Sequence, residues 1–144
     1  MQISKRYTQV LIFLLFIVLF ATVIFFITDR ADRHLQRNAR FTIGVIDKVT
    51  SLRGSPDQAN YSFVVNHDSI HNRRSIYVDA NLSYLREVLT GTRLPVAYDV
   101  SDNSNNDLLL SKRDFTRFGL TPDSATLQLF KKIDSLRIGK DAIR

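Results

Sequence analysis

The chain has 144 residues, a mean hydropathy of -0.08, no cysteine, and 20 basic against 14 acidic residues for a formal net charge of +6. Without cysteine there is no disulfide, no thiolate metal site and no lipoprotein attachment. The basic excess is moderate and scattered, and neither a recognition-helix motif nor a basic face interleaved with stacking aromatics is present, so nucleic acid is not an expected partner.

Residues 1–9 are a short N-terminal tail, and residues 10–28 are the predicted transmembrane helix. Val10 to Ile27 carries no charge, and its only polar side chain, Thr22, can bond back to its own helix. Roughly eighteen residues at about 1.5 Å each cover about 27 Å, close to a hydrocarbon core of about 30 Å. The run is longer than a signal-peptide core and ends in Phe25, Phe26 and Ile27 rather than in small residues, so it reads as an anchor that stays. A single-pass protein of the cell membrane is expected, with the lipid bilayer as its first partner.

The side on which the rest of the chain lies is contested by the basic residues. Lys5 and Arg6 before the span have the layout of a signal anchor that sends the long domain out. Arg30, Arg33, Arg37 and Arg40 after it argue for a cytoplasmic domain. The reading leans to the extracytoplasmic side. Residues 29–40 continue the helix as a basic collar in which Asp29, Arg33 and Arg37 recur at four-residue spacing, and the four arginines are candidate lipid-headgroup ligands. His34 stands among them as a polar residue at the same level.

From Phe41 the period changes to alternation, opening a small β-domain over residues 41–115. "FTIGVIDKV" predicts a strand with Phe41, Ile43, Val45 and Val49 inward. After a loop containing Gly54 and Pro56, "YSFVVN" places Tyr61, Phe63 and Val65 inward, and Asn66 to Asp68 predicts a tight turn. The return strand runs from Ile70 to Val78, with Ile76 and Val78 inward and Arg73 and Arg74 at an edge. Leu82, Leu85 and Leu89 at helical spacing predict a short helix, capped by Asp79 or Asn81 and stopped by Gly91. "TRLPVAYDV" returns to alternation with Leu94, Val96 and Tyr98 inward, Pro95 implying an edge or a late start. Leu108 to Ser111 closes the set as a last short strand.

About five short strands and one helix predict a partly open barrel of the SH3-like or OB-like kind. Tyr98 is expected to turn its ring inward and to give its hydroxyl to the Asn-rich turn that follows. Residues 116–144 predict an amphipathic helix capped at Thr121, with Pro122 at its first position and Asp123 in its first turn. Its stripe of Leu129, Phe130, Ile133 and Leu136 either covers the open barrel or docks on a partner subunit or second copy.

Together with the "YSFVVN" strand, "GTRLPVAYDVSDNSNNDLLL" resembles an uncharacterised bacterial family of small membrane-anchored β-domains. The matching positions are Gly91, Val96, Tyr98, Asn103, Asn106 and Leu108, whereas Val100 and Asn103 stand where that pattern carries prolines and His67 where it carries glycine. The resemblance implies the β-architecture and no reaction.

No nucleophile elbow, glycine-rich phosphate loop or His-Glu-x-x-His occurs. His67, Asp68 and His71 are the one metal-like grouping, but on a strand His67 and His71 stand roughly 13 Å apart at about 3.3 Å per residue. The expectation is a non-enzymatic, cofactor-free accessory protein that binds other membrane or envelope proteins or itself. The alternatives are a tethered metal-binding protein or hydrolase using His67, Asp68 and His71, and an anionic-lipid-binding domain.

Overall fold

The computed structural model describes residues 5–51, 55–77 and 81–135. The first element, α1 (Lys5–Asn38), runs unbroken through the apolar segment and the collar. It is the one described helix long and apolar enough to cross a membrane, and 0% of its most apolar 18-residue window is buried. A core helix of a soluble protein would show the opposite. Thr22 and Thr28 return their hydroxyls to the carbonyls four residues back, at 2.7 and 2.8 Å, so neither leaves an unpaired polar group.

The chain passes from α1 directly into β1 (Ala39–Thr50), followed by β2 (Asp57–Val65), β3 (Asp68–Ile76), α2 (Leu82–Leu89), β4 (Arg93–Asp99) and β5 (Asn106–Leu108). All strand pairs are antiparallel, in the order β3-β2-β1-β4-β5. In a flat sheet β3 and β5 would lie roughly 19 Å apart at about 4.8 Å per strand. Yet Asn72 of β3 donates to Asn106 of β5 at 2.9 Å, so the sheet curls into a half-barrel whose edges are joined by side chains. The expected partly open barrel is what the chain forms.

The barrel interior holds Ile46, Val49, Tyr61, Phe63, Leu94, Val96 and Leu108, all buried. Tyr61, Phe63 and Val65 point inward as their alternation indicates, and the β2–β3 turn sits at Asn66 and His67, both at positive φ (52° and 73°). Two such residues give the hairpin twist that matches the strands. Asn81 caps α2, its side chain accepting from the Ser83 N–H at 2.9 Å, and Gly91 (φ 80°) turns the chain back so that its N–H reaches the Ile46 carbonyl at 2.8 Å.

Several expectations are corrected. In β1 the residues that face inward are Gly44, Ile46 and Val49, while Phe41 and Ile43 lie outside. Ile46 pairs with Tyr61 and Lys48 with Asn60, which makes Asp47 a bulge. One extra residue reverses the facing, so strict alternation back from Val49 names the wrong side for Phe41, Ile43 and Val45. Pro95 is neither at an edge nor late: its carbonyl accepts from Leu109 at 2.9 Å, so its missing N–H lies on the β5 side, where pairing has ended at Val96–Leu108. The last strand is Asn106–Leu108, and after it comes an unexpected helix, α3 (Lys112–Arg117). Its capping box joins Ser111 and Asp114.

The final helix, α4 (Ser124–Ser135), is capped by Asp123 rather than Thr121, the Asp123 carboxylate accepting from the Thr126 N–H at 2.8 Å. Phe130 and Ile133 are buried in the protein's own core and Leu129 is half-buried, Phe130 meeting Phe115 edge-on at 5.8 Å between ring centres. The stripe therefore covers the barrel and is not a free docking face. Leu136, with Gly54, Val78 and Asp79, lies outside the described residues.

Candidate functional site

Three features meet where α1 joins the β-domain. The first is the attachment of α1. Leu35 is buried, Asn105 of the β4–β5 loop donates to the Ala31 carbonyl at 3.0 Å, Asp32 pairs with Arg117, and His34 Nδ1 bonds the Asp99 carboxylate. The His34 ring nitrogen Nε2 in turn lies 3.2 Å from the Asn38 amide. His34 is thus a link between helix and sheet. Asp99 is held below the usual carboxylate range, first by the Ser101 hydroxyl and N–H (2.6 and 2.9 Å) and then by His34.

The second feature is a charged network across the barrel seam. Arg74 of β3 reaches both Asp107 of β5 and Asp114 of α3, the latter at 2.9 Å. Arg117 bonds Asp107 at 3.1 Å as well as Asp32. The chain of charges runs from the C-terminal part of α1 to the far edge of the sheet. Burial pushes the Asp107 carboxyl up, Arg74 pulling it partly back, and burial likewise pushes up the phenol of Tyr61, whose hydroxyl donates to Asn106 at 2.6 Å. A cleft of about 600 Å³ opens beside the network between α1, β3 and α3. Its buried charges are engaged with each other, which makes the network a clasp.

The third feature is on the outer face of the sheet. Phe41, Ile43 and Val64 are 44, 57 and 58% exposed. Ile43 pairs with Pro95 on β4, and Val64 follows the Gly44–Phe63 pair on β2, so Phe41, Ile43 and Val64 form one apolar strip over β1 and β2, bordered by β4. Phe41 is steadied edge-on by Phe118 at 5.9 Å.

The residues of the family-like motif fall together on the β4–β5 hairpin. Val96 pairs with Leu108, Tyr98 pairs with Asn106, and the Asn103 carbonyl accepts from the Asn106 amide at 2.7 Å, with Gly91 standing before β4. Tyr98 is half-buried beside Phe63. The aromatic hydroxyl tied to the Asn-rich turn is that of Tyr61. No sequence spacing links Tyr61 to Asn106, whereas the Ser111-x-x-Asp114 capping signal of α3 was available and marks where Asp114 is fixed.

His67, Asp68 and His71 do not assemble. His71 Nδ1 lies 3.9 Å from Asp47 of β1, across the intervening β2, and among the described residues no group of three or more His, Cys, Asp or Glu could hold a metal ion. Of the collar, Arg33 pairs with Asp29 at 2.7 Å, while Arg40 belongs to β1, opposite Tyr98. No protein-family model, curated protein or solved structure matches this chain.

Proposed function

We propose that the chain is a non-enzymatic, single-pass protein of the cell membrane whose β-domain binds another membrane or envelope protein as an accessory subunit. The observation that carries this reading is the apolar strip of Phe41, Ile43 and Val64. An outer sheet face that meets only water alternates apolar with polar residues, whereas this one presents large apolar side chains on the strand that leaves the membrane helix. Burying such a strip on a partner returns about 25 cal/mol per Å².

The attachment of α1 supports the same reading. Leu35, Asp32 and His34 hold the domain to the helix, so the strip keeps a set height and direction relative to the span. A partner anchored in the same membrane meets it without first ordering a tether, which lowers the entropic penalty of association. The Lys5 and Arg6 layout supports an extracytoplasmic domain in this proposal.

The test is co-purification of the tagged full chain in mild detergent, beside the variant I43K/V64K. The parent is expected to emerge with a partner and the variant without it, at an unchanged melting temperature. A parent that emerges alone and monomeric at native abundance overturns the proposal. A C-terminal alkaline phosphatase fusion reads the side: an inactive fusion beside a fluorescent C-terminal reporter reverses the orientation.

A further inference from the structure

The attachment of α1 determines which face of the collar remains open. At about 100° per residue, Phe26, Arg30, Arg33 and Arg37 fall along one line of the helix, and Ala31 and Leu35 on the opposite side. Ala31 and Leu35 are on the side that meets the β-domain. A docked helix cannot turn about its axis, so the three arginines face permanently away from the domain. Around them lies an open groove of about 580 Å³, with Phe26 and Ile27 at its apolar end and Arg30, Arg33 and Arg37, together with Asp29 and His34, at its polar end.

The depth suits a phospholipid. At about 1.5 Å per residue, Arg30 and Arg33 lie about 4 and 9 Å past Ile27, within or just above a headgroup layer of roughly 5–7 Å per leaflet. Side chains on a helix lean toward its N-terminus, which here is the membrane side, so Arg37 also leans down toward the lipid. Arginine rather than lysine stands at every basic position of the collar, and its planar fork grips two phosphate oxygens at once. Asp29 offsets a single charge through its exposed pair with Arg33, and Arg30 and Arg37 have no acidic partner among the described residues.

We infer that the groove of Phe26, Arg30, Arg33 and Arg37 is a binding site for the phosphate of an anionic phospholipid. The guanidinium groups hold the headgroup, and Phe26 and Ile27 flank the start of the acyl chains. The site is independent of the protein-binding strip, which lies on the sheet.

The experiment is native mass spectrometry of the full chain in a neutral detergent. Phosphatidylglycerol and phosphatidylcholine of identical acyl chains are added separately, each with and without millimolar inorganic phosphate. The parent is expected to retain phosphatidylglycerol preferentially, and R30Q/R33Q/R37Q to lose on the order of fivefold in retention per arginine removed. The variant R33Q/Q36R, which keeps the net charge but moves one arginine off the line, is expected to weaken retention by a similar single step, whereas the remote charge change K131Q/K132Q leaves it unchanged. Equal retention of the two lipids by the parent, or full retention by R33Q/Q36R, overturns the site. Displacement by inorganic phosphate alone reassigns it to a free anion and overturns the lipid.

Discussion

The phenolic hydroxyl of Tyr61 on β2 donates to the Asn106 side chain on β5 at 2.6 Å, joining strands separated by β1 and β4 in the order of the sheet. Asn106 also accepts from Asn72 and gives its own amide to the Asn103 carbonyl, so one side chain holds three parts of the chain. Tyr61→Phe is expected to cost about 1 kcal/mol, since Asn106 keeps its other partners, and Tyr61→Ala about 3–5 kcal/mol. Melting of the full chain in detergent measures both. A Tyr61→Phe variant that melts like the parent would remove the tie between β2 and β5.

Gly44 answers to contact rather than to backbone angle. A Cβ there would come within 2.6 Å of Val96 Cγ2 on the neighbouring strand, and the Ser62 carbonyl stands at 3.3 Å. Gly44→Ala is expected to destabilise by about 1–3 kcal/mol through overpacking. The double variant with Val96→Ala opens space beside the new methyl, so the two losses should add to less than their sum, as a thermal double-mutant cycle would show.

The clasp should respond unequally to its members. Arg74→Met leaves Asp107 and Asp114 short of a cation in a buried setting, for a loss of about 1.5–3 kcal/mol. Asp32→Asn removes an exposed carboxylate from Arg117, which still bonds Asp107, and should change stability by about 0–1 kcal/mol. Hydrogen exchange separates their roles further. Asp32→Asn should speed exchange near the C-terminal end of α1, and Arg74→Met at the β3–β5 seam.

Two carboxylates give pH dependences of opposite sign. Asp99 titrates below the usual range when folded, so its contribution is complete above that range and is lost as pH falls through its depressed value. Asp107 titrates above it, so its contribution is complete below the usual range and declines as pH rises from there through the raised value. In melting temperatures measured between about pH 3 and 6, Asp99→Asn should flatten the loss on the acid side. Asp107→Asn should remove a decline toward neutrality, whatever constant offset its lost ion pairs add.

Elements whose causes are local were readable from the residues alone. The long exposed apolar helix follows from composition over consecutive positions, because a helix satisfies its own backbone hydrogen bonds within a few residues. The Asn66–His67 turn, the Asn81 cap, the Gly91 stop and the inward face of Tyr61, Phe63 and Val65 likewise depend on neighbours within a few residues. The partly open barrel followed from the number and length of those strands.

What the chain alone left undecided are choices between faces and partners far apart in sequence. In β1 alternation pointed to Phe41, Ile43 and Val45 as the inner face, and only the bulge at Asp47 and the pairing of β1 between β2 and β4 put Ile46 inside and Ile43 outside. The apolar stripe of α4 was legible, but whether it covered this barrel or another molecule depended on Phe115 being delivered opposite Phe130 by an unexpected helix. Asp32, Arg74, Asp107, Asp114 and Arg117 become one clasp only when the sheet curls enough to bring β3 and β5 together under α1. Local pattern selects the conformation of a segment, because its hydrogen bonds and side-chain spacing are set within a few residues. The assembled sheet selects what each face meets, because that depends on the geometry of all five strands at once.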